Sequence, residues 1–193
     1  MSKGLKVALI VIGIIAVLGL LLIGNIIAGY NRAITMDEQV KAQWAQVENQ
    51  LKRRYDLIPN LVETVKGYAT HERELFENIA QARVQYFQAG GVRERVDASN
   101  RLEPMISRLL LLREQYPQLR ANENFLKLQD SLEGTENRIS VERMRYNQAV
   151  QALNTYRRTV LGRIYTAIAG VGPADYYEVP EAEQALPKVD FGR

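Results

Sequence analysis

Residues that could form a catalytic site are few in this chain. It has no cysteine, which excludes disulfides, thiolate zinc sites and cysteine nucleophiles. Its one histidine, His71, begins the segment HEREL, and Leu75 occupies the position where the zinc-protease motif HExxH requires a second histidine. We therefore interpret His71 as a partly exposed helix residue and not as a metal ligand.

Other catalytic motifs are also missing. The sequence has no GxSxG elbow, no Ser/His/Asp set and no glycine-rich phosphate loop of the type GxGxxG or GxxxxGK[ST]. A pair of carboxylates for glycoside hydrolysis has no local signature, so an envelope hydrolase stays open as a minor alternative. We expect no enzymatic activity, no cofactor and no metal.

The balance of charge argues against one class of partner. The chain has 25 Lys and Arg residues against 22 Asp and Glu residues, and Lys3 and Lys6 lie in the short N-terminal tail. The rest of the chain is therefore nearly neutral. Binding to nucleic acid needs a positive surface that neutralises phosphates, so we expect no nucleic-acid partner.

Two segments, LKRRYDLIPN and EQYPQLRANEN, combine arginine with tyrosine, residue types enriched at the energetic centres of protein interfaces. Both segments also suit helix ends, because Asp56 and Asn122 are good N-cap residues and basic side chains stabilise helix C-termini. They either stabilise a turn or form a docking surface for another protein or a second copy. The anchors of that surface would be Arg53, Arg54, Tyr55, Tyr116 and Leu119.

A third segment, VLGRIYTAIAGVG, is mostly apolar and follows two arginines. Apolar residues beside basic ones are typical of segments that lie among lipid headgroups. Alternatively, Ile164, Ile168 and Val171 close one end of a protein core. The predicted membrane-interface residues are Arg157, Arg158, Arg163, Ile164, Tyr165 and Ile168.

These segments must be positioned by the elements around them, beginning with an apolar N-terminal stretch. From Val7 to Asn31 there is no charged residue, and about 20 apolar residues suffice to cross a bilayer. We predict a transmembrane anchor over residues 7–29. The alternative is a cleaved signal peptide, but cleavage after Ala28 would place Ile26 where a small residue is preferred.

The charges beside this stretch predict its orientation. Lys3 and Lys6 precede it, while Arg32 and Lys41 follow it among acidic residues. Basic residues close to a span stay on the cytoplasmic side. The dense charge of the short tail and the absence of cysteine favour a cytoplasmic tail, with the remaining chain outside. For a single-pass protein of a bacterial inner (plasma) membrane, the remaining chain would lie on the periplasmic side.

Downstream of the anchor the apolar residues recur at helical spacing, with no alternation typical of strands. We predict a first helix that breaks at Tyr55–Leu57, because Pro59 suits the first turn of a new helix; a kinked continuation is the alternative. The second helix is predicted to end at Gly90-Gly91 and the third at Pro117. Asn122 is predicted to cap the fourth.

Four helices with short connections predict an all-α fold: an N-terminal transmembrane helix in residues 1–29 and an antiparallel up-down four-helix bundle over 30–160. The fourth helix keeps a heptad seam typical of coiled-coil packing, in which Glu142 could pair with an arginine of a neighbouring helix. Residues 161–193 are predicted to be a membrane-proximal segment and an extended, proline-containing tail. The two segments with arginine and tyrosine would then meet at the membrane-distal end.

The segment YNRAITMDEQVKAQWAQVENQLKRRYDLIPNLVETVKGYATHE resembles the opening signature of the LemA family. EQYPQLRANENFLKLQDSLEGTENRI, RMRYNQAV and the closing PKVDF extend the resemblance over residues 30–154 and the last residues. It implies a membrane helix, an antiparallel four-helix domain, no established enzymatic activity, and kinship with a protein needed for building magnetosome membranes. Between Thr159 and Ala174 the chain departs from the family, since VLGRIY stands where a Phe-Pro pair is usual.

The sequence therefore favours a non-enzymatic, membrane-anchored helical protein that scaffolds or organises other proteins, or assembles with itself. Anchoring in one membrane raises the effective concentration of the copies. The alternative is an accessory subunit of a membrane enzyme or transporter. The expected partners are the bilayer through residues 7–29, a second copy of the chain, and a membrane protein.

Overall fold

The computed structural model describes residues 3–178, and this part of the chain is all-α with no strand, as predicted. The region from residue 179 onward, including PKVDF, lies outside the described residues. The helices are α1 (Lys3–Lys66), α2 (Arg73–Gln88), α3 (Val92–Gln115), α4 (Pro117–Arg120), α5 (Glu123–Arg158) and α6 (Val160–Ile168).

The described chain divides into two compact units, and α1 and α5 contribute residues to both. We call residues 3–42 and 148–174 the anchor unit, and residues 43–147 and 175–178 the helical unit. The predicted domain boundaries after residues 29 and 160 stay a prediction.

In the anchor unit, α1 begins with a segment that is long and apolar enough to cross a membrane. Between Leu9 and Tyr30 every residue is at least partly accessible except Gly29, which is buried. The leucine, isoleucine and valine side chains of this segment thus have no protein cover within the described residues. The predicted apolar N-terminal helix is confirmed.

In the helical unit, α1, α2, α3 and α5 bury their apolar faces together. The largest fully buried side chains of these four helices are Leu51, Tyr55, Ile58, Leu61, Ile79, Leu102, Ile106, Leu109, Phe125, Leu132 and Tyr146. Two ion pairs fix the relative direction of α1 and α3. Arg95 pairs with Glu48, and Glu103, which follows Arg95 on α3, pairs with Arg54, which follows Glu48 on α1. The two helices therefore run in the same direction.

The contacts between α1 and α5 indicate opposite directions, because residues further along α1 contact residues that come earlier in α5. Trp44 packs edge-on against Tyr146, with the ring centroids 5.4 Å apart. Further along α1, Arg54 contacts Glu136, which precedes Tyr146 in sequence. In the helical unit, α5 therefore runs against α1.

The predicted helix break at Tyr55–Leu57 is wrong, because α1 continues through Pro59 to Lys66. A proline has no N–H, so Pro59 cannot donate to the carbonyl oxygen of Tyr55 four residues earlier. Arg83 Nε on α2 donates to that oxygen instead, at 2.9 Å. A side chain from another helix thus replaces the hydrogen bond that the proline removes.

Three polar residues of the sequence analysis have different outcomes. Asn122 caps α5 as predicted, since its Oδ1 accepts the Phe125 N–H at 3.0 Å. Asp56 lies inside α1 and caps nothing, because the helix does not restart there. Within residues 3–178, Glu142 pairs with Arg145 of its own helix at 2.8 Å and with no arginine of a neighbouring helix.

The chain after α6 is extended as far as it is described, as predicted for the tail. In the anchor unit, the Asn154 amide donates to the Ala174 oxygen at 2.9 Å and accepts the Ala174 N–H at 3.1 Å. In the helical unit, Asn147 makes the same two bonds with Tyr177, at 3.0 and 2.8 Å. A side-chain amide offers one donor group and one acceptor, as a peptide group does. Each asparagine therefore binds both the N–H and the carbonyl oxygen of one tail residue, as the backbone of a neighbouring β-strand would.

The role of Arg83 in α1 is testable. Arg83→Met leaves the Tyr55 carbonyl oxygen without a donor, and we expect the free energy of unfolding to fall by about 1–3 kcal/mol. In a Pro59→Ala background the fall should be smaller, because the Ala N–H can donate to the same oxygen. Urea unfolding of the four proteins in mild detergent, followed by circular dichroism, measures this coupling.

Arg73→Met is the matched control, since Arg73 lies exposed on the same helix, and it should cost little in either background. Equal losses for Arg83→Met with and without Pro59 would contradict this explanation of the uninterrupted helix.

Candidate functional site

Arg54 lies inside the helical unit with only 6 % of its surface exposed. Its guanidinium contacts Glu103 on α3 at 2.7 Å and Glu136 on α5 at 3.0 Å. It also donates to the Leu132 carbonyl oxygen at 2.9 Å. A buried charge is tolerated only when it is paired and hydrogen-bonded, so Arg54 holds α1, α3 and α5 together.

A chain of hydroxyl groups adjoins this ion pair. The Tyr55 hydroxyl is 2.7 Å from Ser99 Oγ, which is 2.8 Å from the Tyr177 hydroxyl. Tyr55 also donates to Glu103 at 3.2 Å, and the Arg143 guanidinium lies over the Tyr177 ring, 4.6 Å from its centroid. We call Arg54, Tyr55, Ser99, Glu103, Glu136 and Tyr177 the buried polar network.

Burial shifts the acid–base properties of this network. It raises the pKa of the Glu103 carboxyl above its ordinary value, and the Arg54 guanidinium opposes that shift. Burial also raises the pKa of Tyr55 and of Tyr177, so both hydroxyls lose their protons less readily in alkali than an exposed tyrosine does. Glu103 and Glu136 share one guanidinium, an arrangement that suits a structural ion pair better than acid–base chemistry on a substrate.

Among the described residues, no three His, Asp or Glu side chains come together in a way that could hold a metal ion. The one histidine, His71, is exposed.

The structure does not bring the predicted docking residues to one surface. Arg54 and Tyr55 belong to the buried polar network, and Leu119 is fully buried in α4. Arginine and tyrosine are common in interfaces, which favoured a surface position for Arg54 and Tyr55, but burial makes all three residues part of the core. Arg53 is exposed and Tyr116 is half-buried, and for these two the docking hypothesis stays a prediction.

Arg53 borders a cleft of about 330 Å³ between α1 and α5. The second exposed arginine at this cleft is Arg138, and Asp130 is its acidic residue. The cleft is lined by Arg53, Leu57, Asp130, Ser131, Gly134, Thr135 and Arg138. Sequence reasoning missed Arg138; Gly134 inside a long helix was the available signal, because a missing side chain leaves room beside the neighbouring helix.

In the anchor unit, the segment VLGRIYTAI forms α6, which packs on the apolar part of α1. The Tyr165 hydroxyl donates to Asn25 Oδ1. The Tyr165 ring lies so close to Gly29 that any larger side chain at position 29 would overlap it. Gly162 and Thr166 are buried as well, so one face of α6 is covered by protein.

Of the predicted membrane-interface residues, Tyr165 is buried by this packing and is corrected to a contact with α1. Ile164 and Ile168 are 51 % and 58 % exposed, which contradicts the alternative for these two residues, whereas Val171 is buried as that alternative requires. Arg158 and Arg163 are exposed, and Arg157 is half-buried. Whether these exposed side chains meet lipid stays a prediction.

Comparison with known proteins places the chain among related sequences. The sequence model described as the LemA family matches residues 43–191. Two curated relatives of Paramagnetospirillum magneticum, Magnetosome protein MamQ 1 and Magnetosome protein MamQ 2, are each 24 % identical to the chain in an alignment 204 residues long. The alignment covers 92 % of this chain and 74 % of each relative. Magnetosome protein MamQ of Magnetospirillum gryphiswaldense is 23 % identical, covering 68 % of this chain and 58 % of its own.

Adjacent arginines allow a direct test of the buried polar network. Arg54→Glu would bury a third carboxylate beside Glu103 and Glu136, and we expect a loss of at least about 3–5 kcal/mol, with the protein unfolding at room temperature or aggregating. Arg53→Glu, an exposed change of the same charge, should shift stability by no more than about 0.5 kcal/mol. Thermal melts of both variants in mild detergent would decide, and similar melts would contradict the assignment.

The buried Tyr146 should make the free energy of unfolding fall at alkaline pH. Burial raises the pKa of Tyr146 to about 12, whereas a tyrosine in the unfolded chain titrates near ~10. The folded protein then keeps a proton that the unfolded chain loses. The stabilisation is complete below about pH 10 and is lost as the pH rises toward the folded pKa.

Tyr146→Phe should therefore lessen the fall in the free energy of unfolding above about pH 10. Tyr176→Phe is the control, because Tyr176 is 41 % exposed. This variant should show the same fall in the free energy of unfolding with pH as the parent protein. Identical slopes for the Tyr146 variant and the parent protein, measured by urea unfolding across the pH series, would refute the proposal.

Proposed function

The chain belongs to the LemA family, and from this we propose that it is a non-enzymatic, membrane-anchored helical protein that organises other proteins, or copies of itself, at a membrane. The observation that carries the proposal is the uncovered apolar segment of α1. Side chains of this kind are stable in lipid and costly in water.

Two further observations support a place in a membrane. The relatives are named as magnetosome proteins, which links them to an organelle. Lys3 and Lys6 precede the apolar segment, which favours a cytoplasmic N-terminus and a single crossing. The helical unit would then lie on the periplasmic side of a bacterial plasma membrane.

For the helical unit we propose an antiparallel four-helix bundle of α1, α2, α3 and α5. The contacts of α1 with α3 and with α5 give parallel and antiparallel directions, respectively. The connections between α1 and α2 and between α2 and α3 are short, which suits neighbours that alternate in direction. Because the buried polar groups of such a bundle bind one another, we expect a partner to bind at the surface of the bundle.

The part of that surface most suited to a protein partner is the cleft beside Arg53. Two exposed guanidinium groups, those of Arg53 and Arg138, border it. Guanidinium groups bind carboxylates in a bidentate geometry. We therefore propose that this cleft takes an acidic segment of a partner protein or of a second copy.

The test uses the full chain, purified from native membranes in mild detergent, with its mass and bound proteins measured. The double variant Arg53→Glu/Arg138→Glu should lose its bound partner or its oligomer mass, because repulsion replaces attraction to acidic groups. Lys52→Glu/Lys127→Glu makes the same change of charge on the same two helices outside the cleft, and it should keep the assembly.

If the parent protein is monomeric and carries no bound protein after gentle cross-linking in the native membrane, the organising role is refuted. If both double variants lose the partner equally, the contact is nonspecific and the cleft is not the docking site.

A further inference from the structure

α6 has two faces of different character. Gly162, Tyr165 and Thr166 are buried. At about 100° per residue these three lie on one side of a helix, and the exposed apolar residues lie on the other. The exposed apolar side chains are Val160, Leu161, Ile164 and Ile168. A helix of nine residues thus has an apolar face that no described part of the chain covers.

The covered face binds α1 at one particular level. Tyr165 packs on Gly29 and donates to Asn25, the polar side chain within the otherwise apolar stretch. Asn25 thereby gains a partner close to the C-terminal end of that stretch. From Val7 to Asn25 the helix rises about 27 Å at 1.5 Å per residue, close to the hydrocarbon thickness of a bilayer. α6 therefore sits where the hydrocarbon would end.

The chain also changes course before α6 begins. Thr159 has an extended backbone, and its hydroxyl caps the new helix by accepting the Gly162 N–H. Tyr156, before this residue, donates to the Gly29 oxygen at 3.1 Å, and Tyr165, after it, packs on the same glycine. A helix running on along α1 would have advanced about 13 Å between them. The chain stays near Gly29 instead, as expected of a helix that crosses α1.

We propose that α6 lies in the headgroup region of the bilayer, across α1, with its apolar face toward the acyl chains. The occupant of this face is lipid, because the face adjoins the uncovered apolar surface of α1 within the same unit. Exposed Arg158 and Arg163 flank it, as basic residues do in helices that bind anionic membrane surfaces. The inference rests on the proposed anchoring of α1, and it adds a second membrane contact that fixes the depth of the chain.

The absence of cysteine permits a direct test with single-cysteine variants of the full chain in lipid nanodiscs. An environment-sensitive fluorophore is placed at Ile164→Cys on the apolar face, with Arg163→Cys on the neighbouring, non-apolar side of α6 as the matched control. Leu18→Cys reports on the anchor itself. Quenching by spin-labelled lipid and by aqueous iodide is measured at each position.

The probe at position 164 should emit at shorter wavelength and be quenched by spin-labelled lipid at least twice as strongly as the probe at 163, with iodide giving the reverse order. Gly29→Val removes the space for Tyr165 and should therefore reduce the difference in quenching between the probes at positions 164 and 163. This variant leaves the apolar length of α1 intact, so the signal at position 18 should not change.

Lipid quenching at position 18 together with iodide quenching at 164 would overturn the inference and leave the anchor in place. A probe at 164 that neither quencher reaches would also overturn it, because a protein would then cover the face. If position 18 itself is open to iodide, the proposed anchoring fails first.

Discussion

The apolar side chains of α1 between Leu9 and Ile27 have no protein cover in the described chain, and this is the constraint on which the rest of the anchor unit depends. Their surroundings must be apolar, because exposure of so many aliphatic groups to water carries a large free-energy cost. Asn25 places a polar side chain in this apolar stretch, and the Tyr165 hydroxyl donates a hydrogen bond to it. Gly29 gives the space that the tyrosine ring needs. Anchoring and the docking of α6 therefore depend on the same turns of one helix.

The helical unit has a different organising interaction. Arg54 joins α1 to α3 and α5 through two carboxylates and a carbonyl oxygen, and the hydroxyl groups of Tyr55, Ser99 and Tyr177 extend the contact to the tail. Buried ionic groups of this kind add little net stability, yet removing one partner is costly because it leaves an unpaired charge. The network thus specifies which helices meet, and it accounts for the arginine, tyrosine and glutamate that would otherwise suggest a catalytic or binding site.

The all-α class and the apolar helix could be predicted because they depend on periodicity and length, which are properties of neighbouring residues. The cap at Asn122 is local in the same sense. The path through Pro59 could not, because the donor that rescues the Tyr55 carbonyl is Arg83, on another helix. Arg54 and Arg53 are adjacent and chemically identical, and only the packing of distant helices makes one a core residue and the other a surface residue. For the same reason Tyr165 looked like a membrane residue although it is covered by Gly29 of a helix far away in sequence.

The central claim is that the apolar part of α1 remains in the mature chain and in lipid. Its most direct test is the intact mass of the protein recovered from bacterial membranes after a carbonate wash at high pH. We expect a chain of 22.0 kDa, with the residues up to Ala28 still attached, in the membrane pellet. A shorter chain that begins after Ala28 and appears in the supernatant would contradict it.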